Sequence, residues 1–358
     1  MTDGPRRTAP QACERPLREA YDTALLDLDG VVYAGPEAVP HAVESLTAAH
    51  DAGMRLAYVT NNASRTPDAV AEHLTELGVP AAAEDVVTSA QAAARLVAER
   101  VPAGAEVLVV GGQGLVEAVR ERGLRPVSEL GEGTAAVVQG YSPDLGWRQL
   151  AEASYAVHRG LPWVASNTDL TVPTARGKAP GNGTLVNAVR AATGAEPVVA
   201  GKPLPPMHRE TVIRTGAKRP LVVGDRLDTD IEGAFNGGVD SLLVLTGVTG
   251  PAELLAARPQ HRPTYVAADL RGLAEPQPEV TADGDGFACR GWRASVADAG
   301  RGGAGVLRLD ARGEDPLDGL RALCAAAWGA ADAAGGVGGS GTEDAAPDAR
   351  KALADLGL

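Results

Sequence analysis

The chain has 358 residues, with 33 Lys and Arg against 46 Asp and Glu and a formal charge of −13. That length favours two or three domains, and the acidic balance argues against nucleic acid, which needs clustered cations. No apolar run is long enough to span a bilayer, and the N-terminal segment lacks the apolar stretch of a signal peptide.

Residues 1–20 read as a flexible arm. The segment Thr23-Ala-Leu-Leu-Asp-Leu-Asp-Gly-Val-Val-Tyr33 is a short apolar run ending in Asp and Gly, the pattern of a buried parallel strand entering a loop. A helix is expected over 40–52, then a strand over 55–60, then Asn-Asn-Ala-Ser-Arg-Thr-Pro and a helix from Pro67. Alternating strands and helices predict an open parallel α/β sheet. A second α/β block begins near 85, with strands at 106–110, 135–139 and 163–166 and helices at 146–159 and 183–193. The first pattern resumes with Pro197-Val-Val-Ala200 and Gly-Lys-Pro, a helix over 206–215, and Pro220-Leu-Val-Val223 leading to Gly-Asp-Arg-Leu-Asp-Thr-Asp230. A strand at 241–245 follows.

The expected architecture is therefore a Rossmann-like parallel sheet core of residues 21–84 and 197–275, interrupted by an α/β cap over 85–196. Residues 276–358 form a small α+β appendage. In it, 286–296 and 305–309 read as two strands, 316–333 as a helix, 334–347 as a flexible loop and 347–356 as a last short helix. Cys13, Cys289 and Cys324 lie far apart, giving neither a metal spacing nor a disulfide framework, and read as reduced thiols of a cytoplasmic protein.

Four expected strands end in polar residues that a sheet does not need: Asp27 and Asp29; Thr60, Asn61 and Asn62; Gly201 and Lys202; Asp225 and Asp230. Carboxyl ends of parallel strands are where open α/β sheets bind ligands. Cleaving a phosphomonoester needs a nucleophile, neutralisation of the phosphoryl charge and a proton for the leaving alkoxide. Asp27 and Asp225 are carboxylates suited to Mg²⁺, which takes oxygen ligands and keeps waters. Asp29 is placed to act as general acid, coupled to Asp27. Lys202, the Thr60 hydroxyl and helix N-terminal N–H groups can hold phosphoryl oxygens. Each element alone has a plainer meaning: a turn or calcium loop for Asp-Leu-Asp-Gly, a helix-entry loop for Thr-Asn-Asn, a surface position for Lys202, and a loop with an N-cap around Asp225 and Asp230. In order, at four strand ends, the set points to chemistry.

With these residues in place the sequence resembles the haloacid dehalogenase superfamily, in the branch containing nitrophenyl-, nucleotide-, phosphoglycolate- and pyridoxal-phosphate phosphatases. The matching segments are Asp27–Tyr33, Thr60–Arg65, Gly201–Pro203 and Gly224–Ile231, with Ser166–Pro173 and Gly181–Gly183 matching the cap of this branch. The resemblance covers about residues 20–275. It implies Asp27 as nucleophile through an aspartyl-phosphate, Asp29 as acid/base, Thr60 and Lys202 as phosphoryl ligands, and Asn61 and Asn62 on the phosphate. It implies Mg²⁺ on Asp27, the Asp29 main-chain carbonyl and Asp225, with Asp230 supporting. The large insert implies a bulky cap that limits substrates to small phosphorylated metabolites.

Residues 277–358 and Val138–Trp147 resemble actinobacterial glycerol 3-phosphate phosphatases with an incomplete acetyltransferase-like appendage, which makes glycerol 3-phosphate the expected substrate. The appendage has no Gly-rich acyl-CoA loop, so packing or oligomerisation is its expected role, and a homodimer is among the assemblies the sequence allows. Asn167, Asp169 and Arg176, polar residues after a cap strand, are the expected readers of the leaving group. The competing readings are phosphoglycolate, nucleotide, pyridoxal phosphate or nitrophenyl phosphate as substrate and, outside hydrolases, a receiver-like domain or a catalytically inactive binding protein.

Overall fold

A computed structural model describes residues 7–174, 176–297, 305–335 and 347–358. They fall into two compact units, one of residues 1–56 and 218–358, the other of residues 57–217.

In the first unit four strands pair in parallel. Thr23–Leu26 lies beside Pro220–Gly224, with Thr23 opposite Pro220 and Leu26 opposite Val223. Asp240–Val244 and then Tyr265–Ala267 extend the sheet. All four residues of Thr23–Leu26 are buried, as a strand covered on both faces must be, which is why it reads as an unbroken apolar run. The helix Ala42–Asp51 is followed by Gly53 at φ 91°, a left-handed position that glycine takes without a Cβ penalty and that ends the helix. The strand Arg55–Thr60 starts in this unit, where the Arg55 N–H donates to the Asp22 carbonyl at 3.0 Å.

Residues 7–20 are not a loose arm; this part of the expectation is corrected. The Arg7 side chain is buried and bonds Asp240, Leu17 is fully buried at the head of a short helix, and Cys13 pairs with Gln277. The segment lacks strong periodicity because single anchors, not an amphipathic face, hold it. Residues 1–6 lie outside the described residues.

The C-terminal part is an antiparallel sheet of four strands, Thr281–Asp283, Gly286–Cys289, Trp292–Ala297 and Val306–Ala311, with the helix Pro316–Gly335 packed on it. The expected single strand over 286–296 is a hairpin. Arg290 at φ 40° and Gly291 at φ 86° make a two-residue turn that sets Cys289 opposite Trp292. Both turn residues take the left-handed region, as such hairpins require, but Arg-Gly is a weaker signal than Asn-Gly. One apolar cluster joins Leu243, Leu254 and Val266 to Trp292, Leu323 and Trp328, so this region shares its core with the parallel sheet. Most of the loop expected over 334–347 lies outside the described residues.

The second unit holds a five-stranded parallel sheet in the order Val198–Val199, Trp163–Ala165, Thr134–Gln139, Glu106–Val110, Arg125–Val127. Leu108, Val137, Ala153, Trp163 and Val186 pack beneath it. Residues 57–60 of the strand Arg55–Thr60 fall in this unit, where Tyr58, Val59 and Thr60 pair in parallel with Val86, Val87 and Thr88. The helices Pro67–Glu76, Ser89–Ala98 and Pro205–Thr215 also belong to it, as does a hairpin of Thr171–Thr174 with Gly177–Pro180. No helix among the described residues is long and apolar enough to cross a membrane.

Candidate active site

In the first unit the site begins where Thr23–Leu26 ends. The Asp27 N–H continues the ladder to the Val223 carbonyl at 2.8 Å. The chain then turns sharply: the Gly30 N–H bonds the Tyr33 carbonyl at 2.8 Å, and Gly30 sits at φ 84°. Gly30 also lies against Asp225; a Cβ there would stand 2.7 Å from Asp225 Oδ2. Asp27 is half-buried and Asp29 exposed.

The neighbouring strand Pro220–Gly224 delivers Asp225, which is fully buried. The Val248 N–H donates to Asp225 Oδ2 at 2.7 Å, and the Thr249 N–H to the Asp225 carbonyl at 3.1 Å. The Thr246 hydroxyl donates to the Gly30 carbonyl at 2.6 Å, so one loop braces both strand ends. Asp230 follows in a π-turn, Leu227–Ile231, nearly fully buried, with Oδ2 accepting from the Arg226 N–H at 3.2 Å.

Carboxylate oxygens of Asp27, Asp225 and Asp230 all lie within 4.8 Å of one another. Three like charges so close, two of them out of water, repel strongly unless a cation or protons intervene. An all-oxygen anionic donor set fits Mg²⁺, which binds one or two carboxylates directly and keeps waters. Asp230, expected only as support, stands as close as the other two. Its position in the π-turn, not its place in the sequence, brings it there.

In the second unit Thr60 ends its strand buried, its hydroxyl accepting from the Asn62 N–H at 3.0 Å. Asn62 Oδ1 accepts from the Ser64 N–H at 2.9 Å and from the Ser64 hydroxyl at 2.8 Å, closing a turn before the helix at Pro67. Lys202 Nζ donates to the Val59 carbonyl at 3.1 Å, so the structure brings Lys202 to the end of the strand that carries Thr60. Asn61 bonds Lys202 and Asp169, and Asn167 Nδ2 donates to the Asn61 carbonyl at 2.7 Å. Arg176 is exposed at the far tip of the hairpin, its N–H on Thr174 Oγ1, and does not share the turn that holds Asn167 and Asp169.

Residues 24–125 match the family profile of haloacid dehalogenase-like hydrolases, and residues 199–273 a HAD-hydrolase-like profile. A D-glycerol 3-phosphate phosphatase of Mycobacterium tuberculosis is 44% identical over 328 residues, 87% of each chain. The chain belongs to the haloacid dehalogenase-like hydrolases. The crystal structure of a glycerol phosphate phosphatase of Mycobacterium tuberculosis in complex with magnesium resembles this hydrolase with a TM-score of 0.79 and 46% identity, covering 87% of this chain and 91% of that one. A p-nitrophenyl phosphatase from Archaeoglobus fulgidus gives a TM-score of 0.65 at 30% identity, over 71% of this chain and 98% of its own. Residues 289–358 of the hydrolase match a GCN5-related N-acetyltransferase-like profile.

Sequence reasoning passed over the loop Thr246-Gly-Val-Thr249 of this hydrolase. The signal was present: the loop follows an apolar strand, as the other site segments do, but it carries no charged residue to draw notice.

Proposed function

We propose that this phosphomonoester hydrolase acts on glycerol 3-phosphate, with Mg²⁺ as its cofactor. The observation that carries the substrate is the extent of the likeness. The glycerol 3-phosphate phosphatase matches 87% of this chain, whereas the 5'-nucleotidase YutF of Bacillus subtilis, 37% identical, covers 64% of it.

In this reading the Asp27 carboxylate attacks phosphorus, the bond from phosphorus to the glycerol oxygen breaks, and Asp29 gives its proton to the departing alkoxide. Asp29, now ionised, takes a proton from water as that water attacks phosphorus. Phosphate leaves, and the Asp27 carboxylate is restored. Thr60 and Lys202 hold phosphoryl oxygens, with Asn61 and Asn62 on the same group through main chain or side chain. Asp27, the Asp29 main-chain carbonyl and Asp225, with Asp230 beside them, would hold Mg²⁺, which offsets the charge of the phosphoryl group. Asn167, Asp169 and Arg176 read the leaving group, the first two from one turn and Arg176 from its hairpin. The proposal includes a cytoplasmic setting with thiols kept reduced. Burial pushes the Cys289 thiol up to about 12, with Asp318 adding to the rise, and burial also raises that of Cys324. A homodimer is compatible with this reading.

The test is phosphate release, with Mg²⁺, from a panel of phosphometabolites that includes phosphoglycolate, pyridoxal phosphate, nucleoside monophosphates and nitrophenyl phosphate. Glycerol 3-phosphate is expected to give the highest kcat/KM among the metabolites. A higher value for any other would replace it as the substrate.

A further inference from the structure

Asn61 is tied into the fold by its side chain as well as placed by its motif. Its side chain makes three kinds of bond at once. Oδ1 accepts from the Lys202 N–H at 2.8 Å; Nδ2 donates to the Lys202 carbonyl at 3.2 Å and to the Asp169 carboxylate at 3.2 and 3.4 Å. Its main-chain carbonyl takes two more, from Asn167 Nδ2 at 2.7 Å and from the Ser89 hydroxyl at 2.5 Å. One residue thus grips two segments more than a hundred positions away in the chain.

The residue type is specified by this geometry. A carboxamide offers a donor and an acceptor on one short planar group at any pH. The acceptor faces an N–H, and the donor faces a carbonyl and a carboxylate. Asp in place of Asn would turn the donor into an anion beside Asp169. The surroundings leave little slack. Gly201, just before Lys202, lies so close that a Cβ would stand 2.6 Å from Asn61 Oδ1 and 2.7 Å from the Ser166 carbonyl. The Asp169 turn is itself fixed, because the Asp169 N–H donates to Asn167 Oδ1 at 3.1 Å and Asn182 Nδ2 donates to the Asn167 carbonyl at 2.7 Å.

We propose that Asn61 is a positioning residue that couples the Lys202 loop to the Asn167–Asp169 turn, so that holding the phosphoryl group and reading the leaving group are not independent events. This rests on the assignment of Lys202 to the phosphoryl group and Asp169 to the leaving group. A substrate hydroxyl that engages the Asp169 carboxylate competes with, or shares, the Asn61 amide. The amide's other bonds set the Lys202 main chain, so a correct leaving group is felt at the lysine. A substrate without that hydroxyl leaves the clasp as it stands.

The test is a double-mutant cycle on the full chain. Asn61→Asp, Asp169→Asn and the two together are compared for kcat/KM on glycerol 3-phosphate and on nitrophenyl phosphate, for inhibition by inorganic phosphate, and for Tm. Asn61→Asp is expected to lower kcat/KM about 10²-fold on both substrates, the cost of a misplaced binding group, and to weaken phosphate inhibition. The double variant reverses the polarity of the side-chain bond and restores at least a tenfold part of both losses. A role in folding alone would lower Tm and active fraction without changing phosphate inhibition.

Unchanged kcat/KM and phosphate inhibition in Asn61→Asp, or a double variant no better than that single one, overturns the proposal. Should Asn61→Asp fail to fold, Asn61→Ser replaces it in the cycle. Losses with Asp169→Asn that fall short of additive then support coupling, and additive losses overturn it. If glycerol 3-phosphate is not hydrolysed at all, the substrate assignment fails by itself, and the nitrophenyl phosphate arm still decides the role of Asn61.

Discussion

Gly247 packs against the Asp225 carboxylate so closely that a Cβ built on it would overlap Asp225 Oδ2. The next residue, Val248, gives its N–H to the same oxygen. The loop thus fixes the orientation of a buried anion by close approach, which only glycine permits. Gly247→Ala must move either the loop or the carboxylate. Partners that orient a metal ligand typically matter by 10–100-fold in affinity, so a fall of about that size in Mg²⁺ affinity is expected. Calorimetric titration with Mg²⁺ reads it, and wild-type affinity in the variant would show that the loop does not orient Asp225.

Asp27→Asn should abolish turnover, because an amide is a poor nucleophile and a weaker metal ligand. A fluoride–metal phosphoryl mimic, soaked into wild-type crystals, should lie against Asp27. Residual turnover near the wild-type rate in the variant would remove Asp27 from its role.

Asp29→Asn should slow hydrolysis by about 10²–10⁴-fold if the exposed carboxylate is the general acid and base. The loss should be smallest for aryl phosphates, whose leaving groups need little protonation. Equal losses for aryl and alkyl esters would assign Asp29 a structural role.

Glu210 has a fully buried side chain on the helix that follows Lys202, and it is bound by Arg95, Arg122 and Arg214. Burial pushes its carboxyl up, but hydrogen bonds from Arg95 and Arg214 and the charges of Arg122 and Arg214 outweigh this and leave it below its ordinary value. A depressed folded value means stability that is full above the unfolded carboxylate value of 4.5 and is lost as pH falls through the folded value. Glu210→Gln should cost about 3 kcal/mol, because it strips the partner from three partly buried cations. It should also flatten the dependence of stability on pH below about 4.5. Denaturant titrations of both proteins at pH 7 and pH 4 check both claims; a parallel loss at the two values would contradict the second.

Trp328 tests whether the C-terminal region is a structural part of the hydrolase. Its ring is fully buried in the shared apolar cluster, its Nε1–H donates to the Leu254 carbonyl at 3.1 Å, and Arg262 stacks over it at 5.5 Å. Trp328→Ala should cost about 3–5 kcal/mol, the usual range for an aromatic core truncation. Phosphatase activity should be lost at a correspondingly lower temperature. Thermal inactivation at the wild-type temperature would mean that the two parts are stabilised separately.

Much of the site could be read in the sequence because its elements are local. A parallel strand buried on both faces is a short apolar run, and the polar residues that end it are adjacent in the chain. Arg55–Thr60 and Glu106–Val110 have the expected bounds, and Asp27, Thr60, Lys202 and Asp225 stand at or beside strand ends for the same reason.

What depends on contact between distant residues had no such trace. Whether residues 7–20 pack was decided by Asp240 and Gln277, which lie more than two hundred positions away. The turn at Arg290-Gly291 was decided by the pairing of Cys289 with Trp292, since local preference there is weak. The amide of Asn61 carries no mark in the sequence of which partners will take it. Only the folded chain, by bringing Lys202 and Asp169 within hydrogen-bonding reach, commits that amide to holding two loops.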